Sequence, residues 1–383
     1  MRGRFINGEI MRVLITGGGT GGHVNPALAI AEIIKRNQPS SEIAFVGTQK
    51  GMENTLVPKA GYHLYHINIQ GIRRSLSLSN LKTAYLVLVS PSHAKKIIRE
   101  FKPDIVIGTG GYVCWPLLKA ASSMGIPTIV HESNAIAGVA VKQLKNKLDV
   151  IMTNFESTTA TLKAKAKIMR VGNPISGDFG RYSKEEAREL LGIPQSVKHV
   201  VLSCGGSLGA QRMNEAALEV MRDFTSKDES IMHFHASGKR GAEAVRQTAV
   251  EYGIADKKNI VISEYIYNMP VLMAAADVVI CRAGAMTLSE IAAMGKAAII
   301  IPSPNVTDNH QYKNAKVLSD KGAAILLEEK DMSGKSLCEA VQKLCCDDKL
   351  RADMEEKIGA FASRDTDKLI YEEICDLIER KKK

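Results

Sequence analysis

Asp277-Val278-Val279-Ile280-Cys281-Arg282-Ala283-Gly284-Ala285-Met286-Thr287-Leu288-Ser289-Glu290 decides how this chain is read. The apolar run Asp277 to Ile280 predicts a buried strand and Gly284 the turn at its end. Met286 to Met294 predicts a short helix whose first turn holds Thr287 and Glu290. A helix N-terminus carries unpaired amides and a positive potential, so it suits a phosphate. A carboxylate one turn in accepts two hydroxyl hydrogen bonds, which suits a sugar diol. Downstream, a strand from Ala297 to Ile301 leads through Pro302 to Asp308-Asn309-His310-Gln311. Together these segments read as a pocket for a sugar nucleotide. The same residues also fit an ordinary strand–helix unit in which Glu290 only steadies the helix start. The flanking chain decides between the two.

Working outward, the pattern recurs. Lys198 to Ser203 predicts a strand, followed by Gly205-Gly206-Ser207-Leu208-Gly209-Ala210-Gln211 and a helix from about Arg212, with Ser207 a candidate phosphate donor. Ile231 to Ala236, Ile260 to Ser263 and Ala323 to Leu327 read as further strands. In the first half, Met11 to Thr16 is an apolar strand, then Gly17-Gly18-Gly19-Thr20-Gly21-Gly22-His23 and a helix from about Val24 to Arg36. Such a unit predicts a phosphate cradle. Gly17, Gly19 and Gly22 satisfy the dinucleotide fingerprint, but the second strand, Glu42 to Val46, ends in Gly47-Thr48-Gln49 with no acid for a ribose. A nicotinamide or flavin site is therefore disfavoured. His23 reads as a base or phosphate contact, and a capping or surface histidine fits its position equally.

Asp104 to Ile107 and Pro127 to Val130 are the next strands, ending in Gly108-Thr109-Gly110-Gly111-Tyr112 and in His131-Glu132-Ser133-Asn134. Ligands of open parallel sheets sit at strand carboxyl ends, so His131, Glu132 and Asn134 form a candidate reaction centre. Strands alternating with helices at this spacing predict an α/β chain of two doubly wound parallel-sheet domains facing across a cleft. The expected divisions are a disordered extension over 1–10, a first domain over 11–172, a second over 173–364, and a closing helix within 365–383. Asp365-Thr366-Asp367 reads as an acidic helix start rather than a metal-binding DxD.

The composition narrows the partners. The 383 residues carry a net charge of +10. Residues 11–172 hold 20 Lys and Arg against 8 Asp and Glu, while 173–383 hold 29 against 32. A basic first half implies nucleic acid, anionic lipid or a pyrophosphate as its partner. The loop Gln70 to Lys82 carries Arg73, Arg74, Leu76, Leu78 and Leu81, and the helix that follows to Phe101 adds Lys95, Lys96 and Arg99. Apolar residues rimmed by basic ones suit an anionic membrane surface, and a core helix with a solvated basic face is the plainer alternative. No run approaches a membrane span, and residues 1–10 are too short and polar for a signal peptide. Seven scattered cysteines without CxxC or Cys/His spacing predict reduced thiols in a reducing compartment.

Gly17–His23 with Asn25-Pro26, Gly71-Ile72-Arg73, Gly110-Gly111-Tyr112, His131-Glu132, Gly172-Asn173-Pro174, Gly205-Gly206-Ser207, Arg282–Gly295 and Gln311 occur in one order from Met11 to about Ala362. In this the chain resembles the MurG family of peptidoglycan glycosyltransferases. The resemblance implies a GT-B fold and inverting transfer of GlcNAc from UDP-GlcNAc to the 4-hydroxyl of the muramyl sugar of lipid I, giving lipid II. It implies that the C-terminal domain binds the donor: Ser207 at phosphate or nucleoside, the Ile266 backbone at uracil, Ala285, Met286 and Thr287 near the pyrophosphate, and Glu290 on the ribose diol. Asn134 and Gln311 would contact the GlcNAc hydroxyls. Thr20, Gly21 and Gly22 would line the cleft from the acceptor side, where Gly110, Gly111 and Tyr112 also belong. His23 is the implied base, with Glu132 a second candidate. No cofactor and no obligatory metal are implied. The implied location is peripheral, on the cytoplasmic face of the cell membrane, with cell-wall synthesis and division proteins as further partners. Nucleic acid is not, since no recognition module is visible.

The chain departs from the family's usual pattern in three places. Ser133 stands where glutamine is common, His310 where many members have another glutamine, and Ile175-Ser176 where an arginine usually follows Gly-Asn-Pro. The rival readings are a UDP-sugar transferase acting on another lipid acceptor and a catalytically weak nucleotide-sugar-binding paralogue.

Overall fold

Short hydrophobic runs buried on both faces fold here as parallel strands, and the amphipathic runs between them as helices. The structure, a computed structural model, describes residues 10–71 and 79–382. Two compact units result, one containing the described residues up to Ile175 together with those from Ser363 to Lys382, the other Ser176–Ala362.

In the first unit, β1 (Arg12–Thr16), β2 (Glu42–Gly47), β3 (His63–His66), β4 (Ile105–Gly108), β5 (Thr128–Glu132), β6 (Val150–Thr153) and β7 (Lys167–Arg170) form a sheet in the order β3-β2-β1-β4-β5-β6-β7. Every pairing in it is parallel. β1 shows why the sheet is buried on both sides. Val13 and Ile15 pack with Ile30 and Ile34 of the helix Gly21–Asn37. Leu14, on the other face, packs with Val106, Ile98 and Leu117. The sequence reading named neither β6 nor β7 as a strand; Lys167-Ile168-Met169-Arg170 in particular is short, charged at both ends and only partly buried at the sheet edge.

The closing helix, Thr366–Lys382, gives Ile370, Ile374 and Ile378 to the same core as Val13. Its Asp367 lies in the first turn and accepts a hydrogen bond from Arg36 Nη2 at 2.7 Å. Among the described residues no group of acids, histidines and cysteines is arranged to hold a metal.

In the second unit, β8 (His199–Cys204), β9 (Ile231–Ala236), β10 (Ile260–Ser263), β11 (Val278–Cys281), β12 (Ala297–Ile300) and β13 (Ile325–Leu326) run in the order β10-β9-β8-β11-β12-β13, again all parallel. Buried Asp277 fastens the start of β11 to that of β8: its carboxylate accepts from Val200 N at 2.6 Å and Arg188 Nη2 at 2.7 Å and pairs with Lys184. Both sheets reverse their strand order beside the first strand laid down. That point lies between β1 and β4, where Thr16 pairs with Gly108, and between β8 and β11, where Cys204 pairs with Cys281. Ligands of open α/β sheets bind outside the strand ends at such points.

Candidate active site

At the first unit's switch point, the helix begins at Gly21 rather than Val24, so Gly21, Gly22 and His23 are its first turn. Thr20 precedes it in extended backbone, no side chain caps the helix, and the turn contains no acid. His23 Nδ1 lies 3.2 Å from the Thr109 carbonyl oxygen, and Thr109 Oγ1 donates to the His23 carbonyl at 2.6 Å. The loop after β4 is moulded to this histidine. Gly110 has φ +111°, and a Cβ there would overlap His23 Nδ1. Gly111 has φ +82°, and its Cβ would lie 2.5 Å from the Gly18 carbonyl oxygen. Tyr112 is partly exposed with its ring edge beside Gly19 and Gly71.

One amide of the first glycine loop is engaged within the protein. Gly19 N donates at 2.9 Å to Glu53 Oε2, while Glu53 Oε1 accepts from Thr48 N and Thr48 Oγ1, both at 2.8 Å. An internal carboxylate thus takes an amide that the sequence reading gave to a ligand. Glu53 escaped that reading because it sits at no motif position, and Thr109 entered it only as a member of the glycine loop after β4. The only signal for Glu53 was an acid following Gly47-Thr48-Gln49 within a few residues.

β5 reaches Glu132, placing His131 and Glu132 inside the strand end. The Glu132 carboxylate is buried and accepts from Asn134 N at 3.0 Å, Asn134 Nδ2 at 3.2 Å and Gly138 N at 2.7 Å. Burial raises its pKa against those hydrogen bonds. These contacts make it the anchor of the 133–138 loop that carries Asn134. His131 is buried, sits 2.8 Å through Nε2 from the Gly172 carbonyl, and is pushed by burial down to about 4, so it is neutral. Ser133 is buried with Oγ 3.4 Å from His131 Nδ1.

In the second unit, the helix Ala285–Met294 follows β11 across Gly284. Again no side chain caps it and its first turn has no acid. Glu290 is therefore not in the first turn, where the sequence reading put it, but in the second: it is the sixth residue of a helix with about 3.6 residues per turn. The helix potential falls off within a turn, so steadying the helix start does not account for this carboxyl. Among the described residues the Glu290 carboxyl makes no hydrogen bond or ion pair, and burial alone raises its pKa to about 7. Its neighbours include the thiols of Cys204 and Cys281 at the ends of β8 and β11, both pushed up by their own burial and further by its charge. Thr287 lies in the same first turn as Ala285 and Met286, half-buried, its Oγ1 beside Gly284.

The surrounding loops are bolted to this turn. Arg282 Nη1 donates to the Ile301 carbonyl at 3.2 Å and pairs with Glu329. Asn314 Nδ2 donates to the Ala283 carbonyl at 3.3 Å. Gln311 Oε1 accepts from Ser303 N at 2.8 Å, which leaves its amide group as the donor for a ligand. Asp308 and Asn309 precede it in left-handed backbone, at φ 53° and 51°. Ser207 lies exposed in the loop after β8, and its carbonyl accepts from Lys239 N at 3.3 Å. Ile266 lies between β10 and the helix Met269–Ala275, flanked by exposed Tyr265 and Tyr267. Arg73, Arg74, Leu76 and Leu78 lie outside the described residues, as does the side chain of Leu81.

The profile of the glycosyltransferase family 28 N-terminal domain matches residues 13–153, and that of the family 28 C-terminal domain matches 200–370. A Caldanaerobacter subterraneus subsp. tengcongensis protein is 41% identical over 362 residues, covering 94% of this chain and 98% of its own. An Acetivibrio thermocellus protein is 40% identical over 371 residues, covering 97% and 99%. Both are named UDP-N-acetylglucosamine–N-acetylmuramyl-(pentapeptide) pyrophosphoryl-undecaprenol N-acetylglucosamine transferase. The crystal structure of Acinetobacter baumannii MurG aligns with a TM-score of 0.74 at 30% identity, over 97% of this chain and 99% of that one. S. aureus MnaA with UDP, 12% identical at a TM-score of 0.66 over 95% and 96% of the two chains, shares the fold alone. The chain has the GT-B fold and belongs to the MurG family of glycosyltransferase family 28.

Proposed function

We propose that this protein transfers GlcNAc from UDP-GlcNAc to the 4-hydroxyl of the muramyl sugar of lipid I, forming lipid II for peptidoglycan. The observation that carries this reading is Glu290, a partnerless carboxyl one turn beyond an uncapped helix N-terminus at the second unit's switch point. The helix amides suit the diphosphate and the carboxyl suits the ribose diol. In this reading Ala285, Met286 and Thr287 bind the diphosphate end, Ser207 the phosphate or nucleoside, the Ile266 backbone the uracil, and Gln311 and Asn134 the GlcNAc hydroxyls.

His23 is the base. A carbonyl oxygen only accepts, so the His23 proton sits on Nδ1 and its Nε2 is basic. Nε2 takes the proton of the acceptor 4-hydroxyl as that oxygen attacks the anomeric carbon. The bond from that carbon to the diphosphate breaks and UDP leaves, so an α-linked donor gives a β-linked product. The helix N-terminus at Ala285 stabilises the charge on the departing diphosphate. Glu132 acts beside this chemistry by holding Asn134 in place. Thr20, Gly21, Gly22, Gly110, Gly111 and Tyr112 shape the acceptor side.

The first unit docks on the anionic cytoplasmic face of the membrane that carries the lipid acceptor. Supporting this, Tyr85 and Leu88 in the helix Ser79–Phe101 are 63% and 78% exposed, on the face that continues to exposed Lys96 and Arg99. Among the described residues no helix is long and apolar enough to cross a membrane. Proteins of cell-wall synthesis and division are further partners in this reading. The deciding experiment measures UDP release from UDP-GlcNAc with and without a soluble lipid I analogue. Acceptor-dependent release supports the proposal; donor binding without such release contradicts it.

A further inference from the structure

We propose that Glu53 is a positioning residue for the acceptor side: its carboxylate occupies the first glycine loop in place of an external anion and thereby sets the pose of His23. The inference rests on the transferase reading for its kinetic consequence, though not for its structural one.

Four glycines from three segments exist around this one side chain. A Cβ on Gly18 would lie 2.8 Å from Glu53 Oε1, one on Gly47 would lie 2.5 Å from Glu53 Cγ, and one on Gly51 would overlap the carboxylate. The fourth, Gly19, gives its amide to Oε2 and has φ +89°. Glu53 is 1% exposed, so solvent does not compete for these bonds. Burial alone would raise its pKa, but the hydrogen bonds from Thr48 and Gly19 outweigh it and hold the carboxyl below its ordinary range. The group is therefore an anion at neutral pH, lodged where a strand–glycine–helix unit would otherwise receive a phosphate.

The grip passes to His23 in two short steps. Gly18 lies against Gly111, whose neighbour Gly110 lies against the His23 ring. Gly19 leads through Thr20 into the helix turn that contains His23. Glu53 touches neither His23 nor any group assigned to the donor, so its effect is on pose.

Geometry distinguishes the substitutions. The carboxylate accepts on both oxygens, Oε2 from Gly19 and Oε1 from Thr48. Glutamine offers one acceptor and turns a donor toward the other site, while alanine empties the cradle and leaves room for a small anion.

The test follows the Gly19 backbone amide by NMR and, in parallel, steady-state turnover with a soluble acceptor analogue, using full-length protein and formate as the probe. In Glu53→Ala the Gly19 resonance moves and formate returns it toward the wild-type position. Turnover falls by as much as about a hundredfold, the loss that about 1 Å of misplacement brings, with the apparent KM for UDP-GlcNAc unchanged. Formate restores part of that turnover in Glu53→Ala and none in wild type. Glu53→Gln, close in shape, covers a failure of Glu53→Ala to fold. It should lose turnover at unchanged donor KM and ignore formate, because its cradle is filled. An unmoved Gly19 resonance, wild-type turnover in both variants, or a parallel loss of donor affinity overturns the inference. Wild-type protein that shows no acceptor-dependent turnover instead counts against the transferase reading, and the Gly19 resonance then decides the role of Glu53 alone.

Discussion

Thr109 grips His23 at both ends, its carbonyl 3.2 Å from the ring Nδ1 and its hydroxyl donating to the His23 carbonyl at 2.6 Å. The first contact fixes the tautomer and the second fixes the helix turn, so the pair sets both the proton inventory and the aim of the base. His23→Ala should therefore lower turnover by roughly 10²- to 10⁴-fold, the range of general-base catalysis, and leave the apparent KM for UDP-GlcNAc nearly unchanged. Steady-state kinetics with a soluble acceptor checks this, and unaltered turnover would remove His23 from the mechanism.

Gly110 supplies a milder test of the same geometry. Its φ of +111° suits glycine, and a Cβ would overlap His23 Nδ1. Gly110→Ala should displace the ring and reduce turnover while UDP still binds, since the proposed donor contacts with UDP lie in the other unit. Calorimetric titration with UDP separates the effects: lost UDP affinity would mean that the substitution disturbs far more than the histidine.

Glu290 predicts a pH dependence with a definite sign. Burial raises its pKa to about 7, so in the free protein the carboxyl is neutral below that pH and charged above it. Only the carboxylate accepts from both ribose hydroxyls, so donor affinity should rise between pH 6 and pH 8. Glu290→Gln should flatten that rise and weaken donor binding about tenfold or more, as loss of a hydrogen bond to a charged group implies. Stability moves the other way. The folded state holds this proton above the unfolded pKa, so stability falls as pH rises from the ordinary carboxyl value toward 7. Glu290→Gln should consequently raise the melting temperature at pH 8 and leave it near wild type at pH 5. A variant equally stabilised at both pH values would show that desolvation of the charge is not what Glu290 costs the fold.

The parts of the fold that announced themselves in the sequence were those governed by local rules. Strands such as Ile231–Ala236 were visible as apolar runs, the turns after β1, β4 and β8 as glycine clusters, and that after β11 as the single Gly284. The helix starts were placed less well. Gly21 and Gly22 are poor helix formers, yet they occupy the first turn before His23, which local propensity does not announce. Ala285 likewise joins its helix one residue early, and Glu290, its sixth residue, lies in the second turn. Hidden altogether were relations between distant segments. Nothing local in Gly51-Met52-Glu53 points to Gly19, 34 positions away, nor in Thr109 to His23, 86 away. The carboxyl end of β5 illustrates the same limit: His131, Glu132 and Asn134 are adjacent in sequence, but only pairing and burial separate a neutral His131 held at Gly172 from a Glu132 that anchors a loop.

The exposed stripe on the helix Ser79–Phe101 leads to the last prediction. Tyr85 and Leu88 are three residues apart, hence neighbours on one face, and Lys96 and Arg99 stand exposed further along it. Two apolar side chains alone bind a bilayer weakly, and each nearby basic residue adds about 1 kcal/mol on an anionic surface. Binding should therefore need both contributions and weaken as salt shortens the Debye length to about 8 Å at physiological ionic strength. Sedimentation with phosphatidylglycerol vesicles at low salt should retain the wild type. Replacing Tyr85 and Leu88 with serine, or Lys96 and Arg99 with glutamine, should each release most of it while turnover on a soluble acceptor stays intact. Retention of both double variants would place the membrane contact elsewhere on the basic unit, and absence of wild-type binding at low salt would remove the surface from the proposed function.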